Sequence, residues 1–181
     1  MENILEELAI KYGTDKQIKN GHGYTQLYND LFKDIRLNEL NFFELGVREG
    51  WSINMWAEYF PNSKIWCIDN DFEKLCPEKF ENDRINFTIC DQDDSNKLSE
   101  IHNFSGDFDI IIDDCSHISH LTIKSFEILF HFLKKDGMYV IEDLHTCDFK
   151  NYTPHGPTTL EYFRASNYNV EYFGKVCVVR K

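Results

Sequence analysis

The chain has 181 residues, of which 42% are hydrophobic and 28% charged, a composition typical of one globular domain with a full hydrophobic core. No apolar run approaches the roughly 18 to 20 residues that a membrane-spanning helix needs, and the N-terminus lacks the basic and then apolar order of a signal peptide. The formal net charge of −12 disfavours nucleic acid as a partner, because its phosphates are contacted mainly by Lys and Arg. We therefore expect a cytoplasmic protein with no membrane or nucleic-acid partner. The six cysteines form no CxxC pair, so we expect free thiols and no structural zinc site.

The predicted elements begin with two helices and then alternate between strand and helix. Apolar spacing predicts helices at residues 2–11 and 24–36, joined by a polar loop. Five short apolar runs that end in acids then predict parallel strands: NFFELG, KIWCID, INFTICDQDD, FDIIIDD and MYVIED. The helical segments are residues 51–60, FEKLCPEKF, SNKLSEIHNF, residues 118–134 and TTLEYFRAS. The tail, YNVEYFGKVCVVRK, predicts a hairpin with its turn at Gly174.

This order of elements predicts an α/β fold with a doubly wound, Rossmann-like and mostly parallel sheet. The hairpin would add a C-terminal antiparallel strand. We expect a single domain over residues 1–181, in which residues 1–38 form a short helical N-terminal extension and residues 39–181 form the core. The extension would offer a contact surface for a homo-oligomer.

Two of the predicted strand ends carry a concentration of acids. Asp113 and Asp114 end the fourth strand, with His117 three residues later, and Glu142 and Asp143 end the fifth. The carboxyl ends of parallel strands meet at one edge of the sheet, where ligands bind. Hard oxygen donors suit Mg²⁺, and Mn²⁺ can substitute for it. We therefore predict a metal site formed by Asp114, Glu142 and Asp143, with His117 as the base that takes a proton from the substrate.

Simpler interpretations of some of these residues stay open. His117 would serve equally well as the cap of the helix at 118–134, and the acids as a pair favoured by its dipole or as an exposed turn. Tyr24 and Tyr28, four residues apart, fit a core stripe better than a sugar-binding face. The segment 145–157 is either a lid near the metal or a connector.

A glycine-containing turn follows the first strand, in FFELGVREGWS. Gly46 and Gly50 permit a tight turn and close approach of a ligand to the backbone, and the next helix begins there. Asp69 ends the second strand, where an acid can accept both hydroxyls of a ribose, and Asp91 ends the third, near an adenine edge. Glu44 is placed to bind the ammonium of an amino-acid moiety, which S-adenosylmethionine carries and NAD lacks. Each of these residues alone would equally fit a plain turn between strand and helix or a helix cap, but together they occur in the order expected of an adenosine site.

With these motifs the chain resembles the class I S-adenosylmethionine-dependent methyltransferases, and more narrowly the metal-dependent sugar O-methyltransferases of the macrocin and mycinamicin type. The family's segments occur in order as YGTDK, ELGVREGWS, CDQ, DDCSH and VIED. Thr14 stands where the family has Ser, and Cys90 and Cys115 where it has Gly; we expect Cys115 to tighten the rim of the site. The resemblance and the strand ends together predict these cofactor-binding residues: Lys16, Glu44, Gly46, Arg48, Gly50, Ser52, Asp69, Asp91, Gln92 and Asp113.

The resemblance implies an S-adenosylmethionine-dependent and Mg²⁺-dependent O-methyltransferase. The acceptor would be a hydroxyl of a sugar, or of a similar or nucleotide-linked small precursor, in natural-product or surface-glycan (capsule) biosynthesis. Two alternatives stay open from the sequence. One is an iron-dependent hydroxylase on the same fold that uses His117 and carboxylates as iron ligands. The other is a protein that binds S-adenosylmethionine without chemistry.

Overall fold

A computed structural model describes residues 3–71, 80 and 82–181. Seven strands form one sheet in the order β3-β2-β1-β4-β5-β7-β6. They are β1 Asn41–Leu45, β2 Lys64–Asp69, β3 Ile85–Ile89, β4 Phe108–Asp113, β5 Leu133–Ile141, β6 Asn169–Phe173 and β7 Val176–Arg180. The pairs from β3 to β5 are parallel, and β7 runs antiparallel to both of its neighbours. The predicted doubly wound sheet with a C-terminal antiparallel strand is therefore confirmed.

Six α-helices accompany the sheet in the described part of the chain: α1 Ile4–Tyr12, α2 Thr25–Phe32, α3 Trp51–Tyr59, α4 Ser95–Ser105, α5 Ser119–Leu129 and α6 Thr159–Ala165. Short 3-10 helices follow at Phe130–Phe132, Leu144–Asp148 and Lys150–Tyr152. The predicted helical segment FEKLCPEKF lies outside the described residues, apart from its last residue. Within the described ranges, no helix combines the length and the apolarity that crossing a membrane would require.

The two faces of the sheet bury separate apolar clusters. Neighbouring residues of a strand point to opposite faces, so Phe42 belongs to one cluster and Phe43 to the other, and both are fully buried. The Phe42 cluster includes the apolar faces of α1 and α2, where Tyr28 and Phe32 lie against Trp56 of α3. Burial on both faces explains why these strands appear in the sequence as nearly continuous apolar runs.

The helix predicted over residues 118–134 is shorter than expected, because α5 ends at Leu129. The chain tightens into a 3-10 turn at Phe130–Phe132, and Leu133 already pairs with Phe108 of β4. The apolar residues of this stretch continue the helical spacing although their backbone is turning into a strand. The second predicted helix likewise ends early, at Phe32 instead of residue 36.

Candidate active site

The turn after β1 lies directly against the segment after β4, because the two strands are neighbours in the sheet. Gly46 has a φ of +81°, and a Cβ placed on it would lie 2.2 Å from the carbonyl oxygen of Asp114 and 2.6 Å from Cα of Cys115. Both the left-handed backbone and the lack of space require glycine here. Gly50, with a φ of +83°, is the N-cap of α3. The glycine turn and the DDCSH segment therefore form one wall.

A cavity of about 450 Å³ opens at the carboxyl edge of the sheet, beside this wall. Residues that follow β1, β2, β3, β4 and β5 line it, as the predicted doubly wound topology requires. The exposed indole of Trp51 and the side chain of Leu121 also contribute to the lining. Of the residues predicted from the sequence, the cavity is lined by Gly46, Arg48, Ser52, Asp69, Asp91, Gln92, Asp114, His117 and Asp143.

Two of these residues also hold the surrounding loops in place. Oδ2 of Asp69 accepts hydrogen bonds of 2.9 Å from the backbone N–H groups of Val47 and Arg48, which ties the end of β2 to the glycine turn. Oε1 of Gln92 accepts from the hydroxyl and the backbone N–H of Ser116, at 2.5 and 3.2 Å. These hydrogen bonds therefore connect the end of β2 to the turn after β1, and the segment after β3 to the segment after β4.

Glu44 lies below the cavity and not in its lining, which differs from its predicted contact with a ligand ammonium. The side chain is fully buried. Its oxygens accept from Ser52 Oγ at 2.8 Å and from Trp56 Nε1 at 3.2 Å. Nζ of Lys16 lies 3.6 Å from Oε1, so an ammonium of the chain itself faces this carboxylate. Burial raises the pKa of Glu44 to about 7.

Asp113 also departs from its predicted cofactor role, because its side chain points into the core. Only 2% of the residue is exposed, and Oδ2 accepts from Ser125 Oγ at 2.8 Å and from Tyr139 Oη at 3.0 Å. Burial raises the pKa of Asp113 to about 6. The remaining predicted cofactor residues outside the cavity lining are the buried Lys16 and Gly50 at the start of α3.

One imidazole and two carboxylates converge at the rim of the cavity. Nε2 of His117 lies 3.7 Å from Oδ1 of Asp114 and 3.6 Å from Oδ2 of Asp143, and the candidate ligand atoms of the three residues all lie within 4.8 Å of one another. His117 and Asp143 have left-handed backbones, with φ of 58° and 54°, and so does Arg48 in the glycine turn. Such a conformation costs an L residue roughly 1–2 kcal/mol, so the surrounding structure must hold these residues in place.

The other oxygen of each carboxylate is held by the N-terminal segment. Oδ2 of Asp114 accepts from Nζ of Lys16 at 2.5 Å. Oδ1 of Asp143 accepts from the hydroxyl of Tyr24 and lies 3.2 Å from Nδ1 of His22. Each acid therefore turns one oxygen toward His117 and the cavity.

Glu142 stands apart from this convergent group, which differs from the predicted set of three metal-binding acids. It is 3% exposed, and Oε1 accepts from Nζ of Lys16 at 2.7 Å and from the hydroxyl of Tyr28. Burial, followed by the charge of Asp114, raises its pKa. In this arrangement Glu142 anchors Lys16 and does not face the cavity.

The structure also decides several of the alternatives. The N-cap of α5 is Ile118, so His117 does not cap that helix, and burial of Glu142 and Asp143 excludes an exposed turn. Tyr24 and Tyr28 are core residues as expected, yet their hydroxyls reach the acids. The sequence did not predict these contacts, nor the contact of His22 with Asp143. The available signal was the two hydroxyl groups, because Phe would fill a purely apolar core position equally well.

Cys115, which stands where the family has Gly, shows no backbone strain. In the described ranges, the non-glycine residues with positive φ are Arg48, His117, Asp136 and Asp143, so Cys115 does not need the freedom of glycine. Its side chain packs at the margin of the apolar cluster that contains Phe43.

No protein-family model matches this chain. It is 35% identical to 8-demethyl-8-(2-methoxy-alpha-L-rhamnosyl)-tetracenomycin-C 3'-O-methyltransferase of Streptomyces olivaceus, over 78% of this chain and 37% of that protein. It is 34% identical to demethylmacrocin O-methyltransferase of Streptomyces fradiae, over 78% of this chain and 36% of that protein.

A solved structure of a related methyltransferase has the same fold. The methyltransferase MycE of the mycinamycin biosynthetic pathway, in complex with Mg, SAH and mycinamycin VI, superposes with a TM-score of 0.86 at 28% identity, over 98% of this chain and 54% of that one. The chain thus spans little more than a third of the length of these curated relatives and about half of the solved structure. Sequence similarity and fold together confirm the resemblance seen in the motifs: the chain is homologous to the macrocin- and mycinamicin-type sugar O-methyltransferases and has the Rossmann-like methyltransferase fold.

Proposed function

We propose that this protein transfers a methyl group from S-adenosylmethionine to a hydroxyl of a sugar, or of a sugar-bearing small molecule, in natural-product biosynthesis. The observation that carries the proposal is that one cavity combines the glycine turn after β1 with the group of Asp114, His117 and Asp143. The relatives named above support it, since they are named as methyltransferases for rhamnosyl tetracenomycin and demethylmacrocin. Surface glycans remain a second source of the acceptor.

The part of the cavity next to the glycine turn fits the adenosyl group of the cofactor. Asp69 ends β2 and Asp91 follows the neighbouring strand β3. Both line the cavity, so we assign them to the ribose and the adenine ends. Arg48, Ser52 and Gln92 complete the wall. Lys16, Glu44, Gly50 and Asp113 lie outside the cavity lining, so we assign them to supporting this wall from behind.

The donor set at the rim fits a divalent cation. Oδ1 of Asp114 and Oδ2 of Asp143 are hard oxygen donors on the same side of the cavity, a set that suits Mg²⁺ or Mn²⁺ together with water and substrate oxygens. Glu142 is connected to this site indirectly, because Nζ of Lys16 forms ion pairs with both Glu142 and Asp114. When bound, the ion would lower the pKa of a coordinated hydroxyl and stabilise the alkoxide.

His117 takes the proton in this proposal. Its Nε2 lies between the two carboxylates at the cavity rim and is not engaged as a helix cap. The acceptor oxygen attacks the methyl carbon, the bond from carbon to the sulfonium sulfur breaks, and the hydroxyl proton passes to the imidazole. The cavity brings both reactants together, which removes the entropy cost of a bimolecular encounter.

A group with one imidazole and two carboxylates favours this reaction over the iron-dependent hydroxylase. Non-haem iron oxygenases typically use the reverse set of two histidines and one carboxylate.

Ligand binding and one variant test the proposal. S-adenosylhomocysteine at 100 times its dissociation constant should stabilise the protein by about 2.7 kcal/mol in thermal unfolding, and Mg²⁺ should add a further shift. His117→Ala should abolish methyl transfer from labelled S-adenosylmethionine to a panel of deoxysugar glycosides and leave cofactor binding intact. His131→Ala, an exposed histidine at the opposite edge of the sheet, is the matched control. Turnover by His117→Ala would exclude the assigned base, and a wild type that responds to neither ligand would exclude the function.

A further inference from the structure

Lys16 is a buried cation among three carboxylates. Only 1% of its side chain is exposed, and Nζ lies 2.5 Å from Oδ2 of Asp114, 2.7 Å from Oε1 of Glu142 and 3.6 Å from Oε1 of Glu44. These distances are those of ion pairs, so the side chain is an ammonium held in the interior by the surrounding acids, a state that persists only with compensating charge.

We propose that Lys16 is a built-in counter-ion of the metal site, an inference that rests on the proposed function. Its charge neutralises the oxygens that it contacts, Oδ2 of Asp114 and Oε1 of Glu142, so that the acids stay together when no metal is bound. The same charge weakens the attraction between a divalent cation and the carboxylate oxygens that face the cavity. Because the same ammonium faces Glu44 under the glycine turn, the cofactor wall and the metal site share one positive charge.

The distances explain why one charge has both effects. Asp114 uses Oδ2 for Lys16 and presents Oδ1 toward His117, so a cation held at Oδ1 lies on the same carboxylate as the ammonium. Like charges this close repel each other strongly in a poorly solvated site. Without Lys16, the buried Glu142 would keep only the hydroxyl of Tyr28 among its observed donors, and an unpaired buried carboxylate strongly destabilises a fold.

Lys16→Met tests the proposal because it removes the charge and retains the length of the side chain. In EDTA the variant should melt at a lower temperature than the wild type. Its melting temperature should then rise with Mg²⁺ at a midpoint concentration about tenfold lower than in the wild type. A purely structural lysine would lower the melting temperature and leave the Mg²⁺ midpoint unchanged.

Lys11→Met is the matched control. Nζ of Lys11 also lies 2.5 Å from a carboxylate, that of Glu58, but the two side chains are 54% and 43% exposed. Exposed pairs contribute little to stability, so this variant should keep the melting temperature and the Mg²⁺ midpoint of the wild type.

The double variant Lys16→Met/Glu142→Gln keeps the test decisive where the single variant folds poorly. It removes one acid together with the cation, so in EDTA it should melt above Lys16→Met. An unchanged Mg²⁺ midpoint in Lys16→Met would overturn the counter-ion role, and so would a double variant that melts no higher than Lys16→Met in EDTA, even where the wild type binds S-adenosylhomocysteine and Mg²⁺. A wild type without a response to Mg²⁺ would instead overturn the proposed function, and the metal-free comparison with the double variant would still decide whether Lys16 compensates Glu142.

Discussion

Replacing Gly46 with alanine should separate the cost of an unfavourable backbone from the cost of moving the wall of the site. The added methyl group would lie 2.2 Å from the carbonyl oxygen of Asp114, whereas ordinary contacts begin near 3.4 Å. The backbone around Asp114 must therefore yield by about 1 Å. Since Asp114 is also bonded to Lys16 and faces His117, the displacement should reach the proposed metal site.

The magnitude follows from two contributions. A left-handed backbone costs an alanine roughly 1–2 kcal/mol, and forcing a methyl group into a filled space adds about 1–3 kcal/mol. Gly46→Ala should therefore lower the free energy of unfolding by about 2–5 kcal/mol. Gly174→Ala, at the hairpin turn, carries the first cost alone, because its φ is +63° and no heavy atom lies within 4 Å of the added methyl.

Urea denaturation of both variants measures the difference, and calorimetric titration with S-adenosylhomocysteine and Mg²⁺ measures the effect on binding. We expect Gly46→Ala to lose affinity for both ligands and Gly174→Ala to retain it. Equal destabilisation of the two variants, with unchanged binding, would refute the tight contact between the glycine turn and the segment after β4.

Two further predictions concern single side chains. Cys115→Gly should lower the free energy of unfolding in urea by at least about 0.4–1 kcal/mol, because residue 115 does not use a left-handed backbone and glycine enlarges the entropy of the unfolded chain. The loss of the packed thiol side chain adds to this cost; stabilisation would show that the cysteine is strained. Glu44 has a pKa of about 7 in the fold against 4.5 ordinarily, so the folded state binds the extra proton in that window. Compared with Glu44→Gln, the wild type should therefore lose about 3 kcal/mol of stability as the pH rises from about 4.5 to 7, and parallel pH profiles of the two proteins would contradict the assignment.

The fold was predictable because its information is local. Strands buried on both faces appear as apolar runs, and the acids that follow them mark the carboxyl edge, as at Asp69 and Asp114. The end of α5 was not predictable in the same way. Phe130 and Phe132 continue a helical spacing, and only the pairing of Leu133 with the distant Phe108 ends the helix.

The candidate site was predictable as a set of strand ends, whereas the orientation of each side chain was not. Asp113 and Asp114 are adjacent, yet one points to Ser125 and Tyr139 in the core and the other to the cavity. Lys16 and Asp114 are 98 residues apart, and no pattern along the chain reports their contact. The resemblance singled out Lys16 and connected it to the cofactor, whereas its partners are acids of the chain.

The left-handed residues limit how far this protein can be stabilised by sequence changes. Arg48, His117 and Asp143 line the cavity, and exchanging them for glycine would relieve the backbone but remove side chains that the proposed reaction requires. Selection for thermal stability alone would therefore act against activity at these positions. Asp136 shares the conformation but lies within β5, away from the cavity lining, so it is the place where the same relief leaves the chemistry intact.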